Sequence, residues 1–205
     1  MLTSISVEIT GMSGSQLLMN NPQTVDPLNS YSKAIKQVTS LKKKTDDDIR
    51  RLRELEVEAK CYWDDDIGIY IPSRWVTASI AQHSFELAKV AKAKVRSAVF
   101  PTELKVKLNY KGEGKVGSLR HIVENGHSIT QNLKQGQVSV TKAAPCFHDW
   151  SFNTTLEIDT EIINIAELKR IIEYGATYGG YGDFRPTFGR ASANVKEVSA
   201  LTAAA

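Results

Sequence analysis

Ile5, Val7 and Ile9 alternate with Ser6, Glu8 and Thr10 until Gly11 stops the run, which predicts an opening strand with one buried face. From Met12 to Tyr31 the pattern dissolves. Asn20-Asn21-Pro22 and Asp26-Pro27 break any helix or central strand there, while Leu17-Leu18-Met19 supply apolar anchors for an ordered loop. A helix is expected from about Ser32 into the lysines. A second, N-capped by Thr45, has Asp46, Asp47 and Asp48 facing the positive end of its dipole and an apolar stripe of Ile49, Leu52 and Leu55. Ile67 to Ile71 forms a short strand-like run stopped by Pro72. Ser73 then caps a long helix to about Lys94, with Val76, Ile80, Leu87 and Val90 at helical spacing.

Period two returns at Leu104, Val106, Leu108 and Tyr110 with lysines between them, which predicts an antiparallel strand wet on one face. Lys111 to Gly117 breaks it, and Ser118 to Gln135 is polar and weakly patterned. Val138, Val140, Phe152, Thr154, Leu156 and Ile158 resume the alternation. Asn164 and Glu167 then form a capping-box pair that opens a helix burying Leu168, Ile171 and Ile172. Gly175 stands where helix ends favour glycine, Ala191 to Val198 closes as a strand, and Ser199 to Ala205 is a fraying tail.

Collected, this order predicts an α+β fold: a ferredoxin-like βαββαβ antiparallel sheet in one domain over residues 1–205. Helical and β-hairpin insertions are expected at about 32–97 and 111–144. With 205 residues, 41% hydrophobic and 24% charged, the chain has material for one sizeable core. No apolar run approaches the ~18 residues of a membrane helix. Met1-Leu2-Thr3-Ser4 lacks the regions of a signal peptide, so a cytoplasmic protein without a membrane partner is expected. Cys61 and Cys146 are far apart and match no zinc or disulfide pattern. Neither a metal nor another cofactor is expected. A net charge of +3 is too small to diagnose a nucleic-acid binder in bulk, so local distribution must carry that question.

The densest local signal is Tyr178-Gly179-Gly180-Tyr181-Gly182-Asp183-Phe184-Arg185-Pro186-Thr187-Phe188-Gly189-Arg190. Glycines admit close backbone approach, Tyr178, Tyr181 and Phe184 offer stacking faces, and Arg185 and Arg190 pair with phosphates, a mixture suited to single-stranded nucleic acid. The same run also builds a tight bend at a sheet edge, with Phe188 in the core. Two more basic groups are candidates for tracking a phosphate backbone. The first is Lys42, Lys43 and Lys44 with Arg50, Arg51 and Arg53, among which Glu54, Glu56 and Glu58 are interleaved. The second is Lys111, Lys115, Arg120 and His121. Asp64, Asp65 and Asp66, beside His83 or His148-Asp149, match no metal-site spacing and are expected to be a solvated turn. His121 and His127 are expected at the surface.

On these elements the chain resembles the RAMP superfamily, the ferredoxin-like RNA-binding backbone subunits of CRISPR effectors. The likeness rests on strand Ser6 to Thr10 with a glycine-bearing loop after it, the insertion between central strands, and the late helix feeding Gly179-Gly180-Tyr181-Gly182 and Phe188-Gly189-Arg190. It implies single-stranded RNA or DNA as partner, held by its backbone with little sequence readout. It also implies head-to-tail homo-oligomers along the strand, a heterologous contact that builds filaments. By the same resemblance, residues 111–144 become a protruding thumb, and Asp26, in the loop after the first strand, a catalytic candidate. Asp26-Pro27 is also an ordinary turn initiator. Leu18 to Pro22 and Tyr181 to Pro186 resemble segments of phage and mobile-element proteins. The alternatives to a binding protein are therefore a structural assembly protein of such an element and a metal-dependent nuclease using Asp26 or the Asp64 to Asp66 group.

Overall fold

The alternation that opens the chain becomes β1 (Leu2–Gly11), with Ile5, Val7 and Ile9 fully buried. A computed structural model describes residues 2–135 and 137–198; the expected tail Ser199 to Ala205 lies outside the described residues. In β9 (Ser151–Asp159), Phe152, Thr154, Leu156 and Ile158 point inward at every second position. The antiparallel register sets Ile9 opposite Phe152, Val7 opposite Thr154 and Ile5 opposite Leu156, so two alternating patterns pool one apolar face. β10 (Ala191–Glu197) flanks β1 and β5 (Val99–Pro101) flanks β9, giving the antiparallel order β10-β1-β9-β5.

Two helices cover that face. α3 (Arg74–Ala88) brings Val76 and Ile80, and α6 (Ile165–Tyr174) brings Leu168, Ile171 and Ile172. They pack on each other, α3 reaching β5 and α6 reaching β10. Between these elements the chain adds α1 (Ser30–Thr39), α2 (Asp46–Lys60), α4 (Lys92–Arg96), α5 (Arg120–Glu124) and two small sheets. One joins β2 (Leu17–Leu18) to the hairpin of β7 (Ser128–Gln135) and β8 (Val138–Phe147). The other joins β3 (Trp63–Asp64), β4 (Gly68–Pro72) and β6 (Lys105–Lys107). The result is an α+β molecule of helices and antiparallel sheets. No helix among the described residues is long and apolar enough to cross a membrane.

Local chemistry placed several ends correctly. Thr45 Oγ1 accepts the Asp48 amide (3.2 Å) and the Thr45 amide donates to Asp48 Oδ2 (2.8 Å), which holds the Asp48 carboxyl below the usual range. Leu17, Leu18 and Met19 are fully buried. Elsewhere tertiary context moved the elements. The helix expected to Lys94 ends at Ala88 because Lys89 takes a left-handed conformation (φ 58°), and α4 follows as a separate turn. Ser73 makes no side-chain cap. The run from Leu104 to Tyr110 shortens to β6, which pairs with β4 rather than entering the main sheet; Leu104 is 81% exposed while Val106, Leu108 and Tyr110 are buried. In α2 the buried positions are Leu55, Val57 and Ala59, and Ile49 is largely exposed, because only the C-terminal half of the helix sinks against β8 and α5.

Candidate nucleic-acid interface

α6 begins as its sequence dictates, with Asn164 Oδ1 accepting the Glu167 amide at 2.8 Å. Its end differs from the expectation. Gly175 is right-handed (φ −60°, ψ −40°), and the backbone continues through a π-turn, Gly175–Gly179. Glycine stands there for proximity: a Cβ on Gly175 would approach Ser79 Oγ of α3 to 2.5 Å. The following loop is stitched to the segment after β1. The amides of Asp183 and Gly189 donate to Leu18 O (2.9 Å) and Gln16 O (2.8 Å), and the Tyr181 amide donates to Gly189 O (2.8 Å). A Cβ on Gly182 or Gly189 would run into Leu18 O or Tyr181 O, so these glycines serve backbone docking. Gly180, at φ 70° and ψ 178°, occupies a region open essentially to glycine alone, and its amide donates to Gly175 O at 2.8 Å. Amides expected to face phosphates are thus engaged by backbone carbonyls, within the loop at Gly180 and Tyr181 and from the segment after β1 at Asp183 and Gly189.

The aromatic side chains divide. Tyr181 is 1% exposed and meets Phe152 edge to face at 5.5 Å, so it is a core residue rather than a stacking platform. Burial pushes its phenol pKa up, opposed by the Ser79 hydrogen bond and by Arg185. Tyr178 is 61% exposed, its ring backed by Tyr174 at 4.8 Å and Tyr174 by His83 at 5.3 Å. Phe184 and Phe188 are half-buried, the latter outside the core cluster that was expected to hold it. Phe184 holds a left-handed backbone (φ 52°), and its amide donates to Asp183 Oδ1 at 3.1 Å.

Both loop arginines are exposed. Arg190 Nε donates to Thr177 O (3.0 Å) and Arg185 Nη1 to Gly180 O (3.4 Å). Neither forms a salt bridge with a carboxylate among the described residues. Arg50, Arg51 and Arg120, in contrast, pair with Asp47 (2.7 Å), Glu54 (3.2 Å) and Glu124 (3.0 Å). Gln82 and His83 of α3, Tyr178, Asp183, Phe184 and Arg185 line an open cleft of about 430 Å³. His83 Nε2 is buried there without a hydrogen-bond partner among the described residues. Burial lowers its pKa, Arg185 and Lys92 lower it further, and Glu86 opposes them. The cleft therefore sets the Arg185 guanidinium and the Asp183 carboxylate beside an uncharged imidazole at neutral pH.

The fold brings the glycine-rich loop to the loop after β1 and to the end of α3. It does not bring Lys42 to Arg53 there, because α2 lies on α1, α5 and β8. Lys42, Lys43, Lys44, Arg50, Arg51 and Arg53 are exposed, and the Lys44 ammonium caps Thr39 O and Leu41 O (both 3.0 Å). Arg51 and Arg120 share one cleft with Glu54, Glu58 and Glu124. Asp26 belongs to the α1–α2 side: its Oδ1 accepts the Leu28 amide (2.8 Å), as a turn initiator does. Asp64 accepts the Asp66 amide (3.0 Å) and pairs with Lys105, whose hydrogen bond holds its carboxyl low, while Asp65 accepts Trp63 Nε1 (3.0 Å). His83 and His127 were missed as cleft-lining residues. Their only sequence signal was one polar residue within a helix and one beside Gly126.

These features describe an α+β protein whose late glycine-rich loop presents an exposed tyrosine and two arginines that make no salt bridge among the described residues. Among solved structures, the crystal structure of Cmr6 from Pyrococcus furiosus is similar at 10% identity and a TM-score of 0.34, over 97% of this chain and 98% of that one. No protein-family model and no curated protein matches the chain.

Proposed function

We propose that this chain binds single-stranded nucleic acid, RNA or DNA, through its backbone, without reading sequence and without catalysing a reaction. The observation that carries the reading is the state of Arg185 and Arg190. Each guanidinium is steadied on a loop carbonyl and lacks a salt-bridge partner among the described residues, and Arg185 lines one cleft with the exposed Tyr178. An arginine held by one N–H keeps its remaining donors for a phosphate, and a supported tyrosine ring accepts any base as a stacking partner. Gly179, Gly180, Gly182 and Phe184 shape the platform. Lys42, Lys43, Lys44, Arg53 and Lys115 add long-range attraction, and Arg50, Arg51 and Arg120 contribute less because carboxylates already hold them.

The order β10-β1-β9-β5, with α3 and α6 as crossovers, supports assigning the sheet to a ferredoxin-like, RAMP-like core. Head-to-tail assembly of copies along the strand belongs to the same proposal. Fluorescence anisotropy of labelled uridine and thymidine homopolymers tests it. Binding to both is expected at low salt, weakening steeply as salt rises. Absence of binding at low salt would overturn the reading.

A further inference from the structure

A pocket carrying two lysines lies just before β9, where the Lys111 amide donates to His148 O. His127 was expected at the surface, yet it is only 7% exposed, wedged edge to face against Tyr110 (5.1 Å) and stacked with Phe147 (5.9 Å). Neither imidazole nitrogen has a hydrogen-bond partner among the described residues. The ring is buried on its faces, but its nitrogens are not sealed off, so the one N–H donor of the neutral imidazole is available to a ligand in the open cavity beside it. The imidazole lines an open cavity of about 390 Å³ with Lys111, Lys115, Asn125, His148 and Asp149. Gly112 (φ 86°) forms part of the wall, and a Cβ there would press on His127 Cε1 and Nε2 at 3.3 Å.

We infer that this pocket binds a phosphate monoester, with Lys111, Lys115 and the imidazole of His127 converging on the dianion and His148 at its rim. The volume lies near the low end of the ~300–1,000 Å³ typical of small-ligand sites, fitting a phosphate with one attached sugar rather than a run of nucleotides. Two lysines disfavour a metal cation. Asp149 opposes the anion but already approaches Lys111 at 3.8 Å. The inference uses none of the residues of the glycine-rich loop and shares only Lys115 with the strand-binding reading, so it stands or falls apart from the contacts that carry that reading.

Protonation couples to occupancy. The groups around His127 are Lys111, Lys115, His148, Asp149, Tyr110 and Cys146. On the α5 side, His121 and Glu124 face each other at 3.9 Å. Burial, then His148, lowers the His127 pKa, so the empty pocket holds a neutral ring at neutral pH. A bound dianion favours the imidazolium, so binding takes up a proton and tightens as pH falls from about 8 toward the second phosphate pKa near 6.

The test is proton NMR of the full chain, whose four histidines keep the Cε1–H region sparse. Inorganic phosphate, uridine 5′-monophosphate and uridine are titrated at two pH values. The two phosphates are expected to move His127 and His148 saturably and raise the apparent His127 pKa, while uridine moves neither. Lys111→Ala with Lys115→Ala, both at exposed positions, should weaken binding at least about tenfold. Asp149→Asn should tighten it, and His127→Gln should remove the pH dependence. Tetranucleotides with a 5′-phosphate or a 5′-hydroxyl locate the source: preference for the phosphorylated strand marks a strand end, and equal behaviour of the two with free phosphate still binding marks a small-molecule phosphate. No saturable shift of His127 with either phosphate, or unchanged affinity in the double lysine variant, overturns the inference.

Discussion

Replacing Arg185 and Arg190 together by Ala isolates the contribution of the loop. In the free protein the change removes two bonds to carbonyls, Gly180 O at 3.4 Å, half-buried, and Thr177 O at 3.0 Å, exposed. Such bonds contribute about 0.5–1 kcal/mol each, so the variant should still fold. In the complex it removes two phosphate contacts. Each contact to a single strand contributes about 0.7 to the slope of log K against log salt, so the slope should become shallower by about 1.4. At about 1 kcal/mol per exposed charged contact, affinity at low salt should fall about thirtyfold, for uridine and thymidine polymers alike. Anisotropy at four or more salt concentrations, with a urea melt of each protein as a folding control, measures both quantities. A folded variant with an unchanged slope would refute the assignment of the phosphate contacts to this loop.

Two further outcomes follow from the packing. Gly189→Ala forces a Cβ into Tyr181 O at φ 76° and should cost about 3 kcal/mol or more in urea unfolding. Gly14→Ala, at φ 75° with nothing within 4 Å, should cost only the ~1–2 kcal/mol of the backbone conformation; equal losses would contradict the docking role given to Gly189. His83 and His127 both have pKa values lowered in the folded state, so the unfolded chain binds more protons as pH drops. Their stabilising contribution is present above the unfolded value near 6.5 and lost below it. Stability should therefore decline from pH 7 to 5, and His83→Gln should flatten that decline; an identical profile in the variant would show that His83 is not desolvated.

How much of this was legible in the chain depends on what each signal reports. β1 and β9 were plain because strict alternation records one buried face, and the caps at Thr45 and Asn164 were plain because capping is settled within four residues. Val99–Pro101 went unseen: three residues ending in proline carry no periodicity, and they become a strand only because β9 offers a free edge. The break at Lys89 escaped because no glycine or proline announces it. At the loop, composition found the segment but could not sort it. Tyr178 and Tyr181 are alike in sequence, yet one stands in solvent and the other fills the space against Phe152. The glycines drew notice as a possible phosphate cradle, whereas their partners are the carbonyls of Gln16 and Leu18, some 170 residues earlier, a pairing that only the closed sheet creates. His127 looked like a polar surface residue because the rings that bury it, Tyr110 and Phe147, come from two other segments.

The central claim is that the bend between α6 and β10 holds a polynucleotide. Photocrosslinking of a 4-thiouridine-substituted single strand to the unmodified protein, with adducts mapped by mass spectrometry, tests it without altering any residue. The account predicts adducts concentrated in residues 177–190, with Tyr178 foremost. Adducts confined to other segments, with that loop unlabelled at saturating protein, would contradict it.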